Sequence, residues 1–89
     1  MNEATIYATI DSYLKSKLDR NEMYDVSHEP GFDGGIGVSI SGIYNNCLYN
    51  KTLLFHISLI PHFKEDTVTD LLSVAVSSLR TLGVPKNGE

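Results

Sequence analysis

The sequence predicts an α+β domain in which two helices pack on one face of a small antiparallel sheet of two or three strands, in the order α-β-β-β-α. Three observations lead there. Apolar residues recur at helical spacing near both ends of the chain, the spacing changes to every second residue between them, and turn-forming residues sit at the junctions.

Residues 3–19 form the first helix: Ile6, Tyr7, Ile10, Tyr13, Leu14 and Leu18 fall in one stripe at 100° per residue. Asp11, Ser12, Lys15 and Ser16 lie outside the stripe, and Asp11 and Lys15 make a favourable i,i+4 pair. The segment "YDVSH" (24–28) is the weakest strand, with Tyr24, Val26 and His28 facing one way. In "IGVSISGIY" (36–44), Ile36, Val38 and Ile40 alternate with Ser39, Ser41 and Ile43. In "TLLFHISLI" (52–60), Leu53, Phe55, Ile57 and Leu59 alternate with Leu54, His56, Ser58 and Ile60. Asn45-Asn46 or Tyr49-Asn50-Lys51 supplies the turn between these two strands. Val68, Leu71, Leu72, Ala75, Val76, Leu79 and Leu82 share one face of the second helix. Asp66 or Thr67 caps its start. Gly83 in a left-handed conformation, Val84 and Pro85 end it. Residues 1–84 then make a single domain, with 85–89 a flexible tail.

The 89 residues are 42% hydrophobic and 20% charged, a globular composition. The single cysteine, Cys47, allows no internal disulfide and fits a reducing compartment. With no secretory pattern at the N-terminus and no apolar run of about 20 residues, a cytoplasmic location is expected and a membrane partner is not. The formal charge of −4 is unevenly spread. Residues 21–35 hold Glu22, Asp25, Glu29 and Asp33 with no lysine or arginine, and residues 36–63 hold only Lys51. No basic footprint suits a phosphate backbone, so no nucleic-acid partner is expected.

The stretch "GFDGGIG" (31–37) holds four of the seven glycines. A phosphate loop needs a following lysine and helix, whereas here Asp33 sits inside the loop and a strand follows. The stretch reads as a turn, with Gly37 marking a bulge or a close backbone approach. Asp25, His28, Glu29 and Asp33 miss the calcium-loop spacing, and zinc-type Cys/His pairs are lacking, so no metal and no cofactor is expected. Cys47 with His56 or His62 would be the one nucleophile–base pairing, but "YNNCLYN" carries no nucleophile motif. No catalytic residue is assigned.

The helix–strands–helix order resembles that of double-stranded-RNA-binding domains, phage tail-terminator proteins and secretion chaperones, which are unrelated to one another. The RNA-binding comparison fails on chemistry, because "KEDTVTDLL" is acidic where basic residues should open the second helix. The functional expectation is a small, acidic, non-enzymatic protein-binding module of the inhibitor, immunity or anti-defence, or chaperone type. Its expected partner-binding residues are Ile43, Leu54, His56 and Ile60 on an apolar sheet face, Tyr44 and Tyr49 beside the turn, and Asp25, Glu29 and Asp33 in an acidic loop. The alternative is a self-assembling structural component, such as a phage-particle protein acting as a homo-oligomer, and the third reading is a small-molecule binder. The partner is accordingly a foreign protein, a second copy of the chain, or both.

Overall fold

A computed structural model describes residues 2–29 and 35–83. Its elements are α1 (Glu3–Lys17), β1 (Glu22–Glu29), β2 (Gly35–Tyr44), β3 (Cys47–Phe55), a 3₁₀ segment (Ile57–His62) and α2 (Glu65–Gly83). The three strands form one antiparallel meander with β2 in the middle, and this is the expected α-β-β-β-α architecture. Gly31–Gly34, the helix stop at Val84 and Pro85, and the tail at 85–89 lie outside the described residues.

Helix α1 starts at Asn2, whose side-chain oxygen accepts from the Thr5 backbone N–H at 2.8 Å. Its inner stripe is Ile6, Ile10 and Leu14, all fully buried. Asp11 and Lys15 pair on its outer side at 2.9 Å. Helix α2 begins at Glu65, one residue before the expected cap, and the Lys64 carbonyl accepts from Val68 N–H. Val68, Leu72, Ala75, Val76 and Leu79 are buried, whereas Leu71 and Leu82 at the margins of that face are exposed. Both helices meet the inner sheet face through Ile36, Val38 and Ile40 of β2 and Phe55 of β3.

The turn between β2 and β3 is Asn45-Asn46, with φ of 53° and 65°. Those positive angles suit a two-residue hairpin whose twist matches the strands, and asparagine tolerates them better than most residues. The register that follows pairs Tyr44 with Cys47 and Ile36 with Phe55. Tyr49, Asn50 and Lys51 therefore lie within β3. The ladder also runs through Gly37, opposite Ser27 and Leu54, without the expected bulge.

The largest departure from expectation is at 56–60. The strand ends at Phe55, and His56 caps the 3₁₀ segment, its Nδ1 accepting from Ser58 N–H at 3.2 Å. The tighter 3₁₀ winding turns Ile60 into the core at 3% exposure. Neither residue stands on the open sheet face as the alternating pattern implied. Gly83 is also explained differently. It is the last helical residue, is not left-handed, and is needed because a Cβ there would meet the Tyr44 ring at 2.0 Å.

Two stability changes follow. Ile60→Ala should lower unfolding free energy by about 2–5 kcal/mol through a core cavity, measured by urea titration. Gly83→Ala should cost about 1–3 kcal/mol by overpacking, although alanine is the better helix former. A neutral or stabilising result at Gly83 would contradict the tight contact.

Candidate functional site

Strand alternation divides the sheet residues between two faces. Opposite the helices stand Met23, Asp25 and Ser27 of β1, Ser39, Ser41 and Ile43 of β2, and Leu48, Asn50, Thr52 and Leu54 of β3. The centre of this open face is a polar lattice. Asn50 donates to Ser39 Oγ at 2.7 Å and to Ser41 Oγ at 2.8 Å, and Thr52 donates to Asn50 Oδ1 at 3.2 Å. Apolar side chains flank that centre, with Ile43 and Leu48 beyond one end, Met23 on β1 and Leu54 at the other end, while Asp25 and Ser27 border it along the rest of β1. Ile43, Leu48, Met23 and Leu54 are 48%, 68%, 56% and 42% exposed.

Of the expected partner-binding residues, the structure brings Asp25, Ile43 and Leu54 together on this face. Met23 and Leu48 belong there too and were missed, although the two-residue Asn-Asn turn would have placed Leu48 opposite Ile43. Tyr44 and Tyr49 point to the helix side, with ring centroids 6.1 Å apart. His56 and Ile60 are elsewhere, as described above. Asp33 and the side chain of Glu29 lie outside the described residues.

Tyr44 is held by a clamp inside the molecule. Its ring lies against Gly42 and Gly83, and its hydroxyl donates to Glu22 Oε2. The Glu22 carboxylate also accepts from Arg80 Nε at 3.0 Å, from Arg80 Nη2 at 2.8 Å and from the Asp19 backbone N–H at 2.8 Å. Arg80 Nη2 donates in addition to the Lys17 carbonyl at 2.8 Å. Four donors satisfy a carboxylate that would otherwise be costly to bury. Arg80 is the main reason that the Glu22 carboxyl is held down to about 2, against the opposing effect of burial. Burial, and then the bond to Glu22, pushes the Tyr44 hydroxyl up to about 12.

Beside the open face runs a second feature. Ile43 N–H donates to the Asn21 carbonyl at 2.9 Å, which makes 21 and 43 a hydrogen-bonded pair. By antiparallel alternation, Met23 and Asp25 bond to β2, while the backbone N–H and C=O groups of Tyr24 and Val26 point to the outer edge of β1. That edge faces a groove of about 660 Å³ lined by Tyr7, Ala8 and Asp11 of α1 and Tyr24, Asp25 and Val26 of β1. Asp11 accepts from Tyr24 and pairs with Lys15.

Cys47 is exposed at the start of β3, and His56 follows its other end, so the thiol and that imidazole do not meet. Among the described residues no group of three or more His, Cys, Asp or Glu comes together to hold a metal ion. None of the described helices is long and apolar enough to cross a membrane. No protein-family model, curated protein or solved structure matches the chain.

The clamp predicts an acid dependence of stability. Above the ordinary carboxylate value of 4.5, Glu22 is charged in both folded and unfolded chains and its stabilisation is complete. As pH falls from there towards about 2, the unfolded chain binds the proton first and stability declines. Glu22→Gln should remove that contribution to the slope and cost on the order of 3 kcal/mol at pH 7, read by urea unfolding across a pH series. An unchanged slope would mean that Glu22 is not clamped.

Proposed function

We propose that this chain is a non-enzymatic protein-binding module of the inhibitor, immunity or chaperone kind, which engages its partner through the open face of the sheet. The observation that carries the reading is a sheet face that no described helix covers, on which Met23, Ile43, Leu48 and Leu54 stand exposed beside a polar centre. Met23, Ile43 and Leu48 stand together at one end of this face, and apolar groups so placed favour burial against another surface. The polar centre is partly bonded within itself, because Asn50 donates to Ser39 and Ser41 and accepts from Thr52, and the two serine hydroxyls remain able to donate to a partner. Asp25 on the same face supplies a charge that steers and selects a partner.

A second reading, self-assembly as a structural component, is favoured by one separate observation. Leu71, Val74 and Leu82 are 38%, 64% and 50% exposed on α2, and Val74 and Leu82 line a groove with Lys51 of β3. Sedimentation of the purified protein separates the two readings. A mass that rises with concentration and returns to monomer in Val74→Asp/Leu82→Asp supports self-assembly.

The test of the main reading is paired affinity capture with wild type and Leu48→Glu/Leu54→Glu. Both positions are exposed, so the helical circular-dichroism signal should be unchanged. A stoichiometric protein retained by the wild type and lost by the double variant is the expected result. Equal retention by both proteins would refute the open-face interface.

A further inference from the structure

We infer that the outer edge of β1 is a strand-addition site for an extended polypeptide segment that alternates apolar and basic residues. The inference rests on the protein-binding reading and names the chemistry of a partner segment. Tyr24 and Val26 present backbone donors and acceptors along this edge, where no described strand pairs with them. An added strand would take up those groups as main-chain hydrogen bonds, which are indifferent to sequence. The groove supplies the selectivity, because alternate side chains of an added strand point to opposite faces.

On the helix side, residues of the added strand next to Tyr24 and Val26 would enter the groove against Tyr7 and Ala8 of α1. That lining suits apolar side chains, with Asp11 at its rim already engaged by Tyr24 and Lys15. On the open side the neighbour is Asp25, exposed and without an ion-pair partner among the described residues. Glu22 is already neutralised by Arg80 and Asp11 by Lys15, so the exposed, unpaired carboxylate among the described residues of this edge is Asp25, which favours a cationic neighbour over an acidic one. The other free edge, along β3, carries Lys51 on its inner face beside α2, a placement that discourages strand pairing there.

The test uses a fluorescein-labelled nine-residue peptide of alternating lysine and valine, with its glutamate–valine counterpart as control, titrated by anisotropy. The lysine peptide should bind saturably and the glutamate peptide at least tenfold more weakly. Val26→Pro removes one outward N–H without touching the β1–β2 ladder, and should weaken lysine-peptide binding at least tenfold at unchanged net charge. Asp25→Asn should weaken it several-fold and flatten its dependence on salt. Amide shift mapping on the wild type provides a readout independent of the proline variant, with the largest changes expected at Tyr24 and Val26. Undiminished binding to folded Val26→Pro, or shifts centred on another element, would overturn the inference. If partner capture is nonetheless lost in Leu48→Glu/Leu54→Glu, the edge inference fails while the open-face reading stands. If peptide binding maps to β1 and capture is indifferent to Leu48 and Leu54, the edge is the interface and the open face is not.

Discussion

The Glu22 carboxylate ties the end of one helix, the end of a strand and an intervening loop together at one point. It takes Arg80 from the end of α2, Tyr44 from the end of β2 and the Asp19 N–H from the loop after α1. Through Arg80 it also reaches the Lys17 carbonyl at the end of α1. A short three-stranded sheet under two helices has a small core, and β1, which offers Tyr24 and Val26 only half-buried, contributes least to it. The clamp fixes the first residue of that strand where apolar packing is thinnest. Its net energy is modest, because desolvation offsets much of the attraction, but removing one partner would leave a buried charge unpaired.

Once β1 is fixed, the external surfaces follow. Its pairing with β2 completes an open face whose polar middle is internally bonded and whose margin carries Met23, Ile43, Leu48 and Leu54 beside Asp25 and Ser27. The same pairing turns alternate backbone groups outward beside α1, where a groove with an acidic flank receives them. One interior interaction therefore positions two surfaces of different chemistry. The first suits a folded partner surface and the second an extended segment.

The elements that were legible in the sequence are those set by periodicity and local chemistry. The stripes Ile6-Ile10-Leu14 and Val68-Leu72-Val76-Leu79 and the alternation Ile36-Val38-Ile40 read directly as buried faces. Asn45-Asn46 was legible as one of two candidate turns, and positive φ, which asparagine tolerates, is what the structure shows there. The alternation of 52–60 misled, since a 3₁₀ segment closing on Pro61 can bury Ile60 with no break in the apolar pattern. Glu22 read only as one of the four acids of residues 21–35, because its partner Arg80 lies 58 residues away and no local pattern announces such a pair. The spacing of Gly83 and Pro85 suggested a backbone reason for the glycine, whereas the steric reason, the Tyr44 ring, exists only in three dimensions. For the site, Leu54 and Ile43 were found by alternation, and Leu48 was hidden by a strand start placed five residues too late.

Residue-resolved amide hydrogen exchange along β1 tests this account most directly, because it reports both how firmly the strand is held and whether its edge is free. The account predicts alternation: Met23 and Asp25 protected by β2, with Tyr24 and Val26 exchanging much faster. Uniform fast exchange would mean that the Glu22 clamp does not hold the strand. Uniform protection would mean that the edge is already covered. Either result would contradict a β1 that is clamped at its root and open along its side.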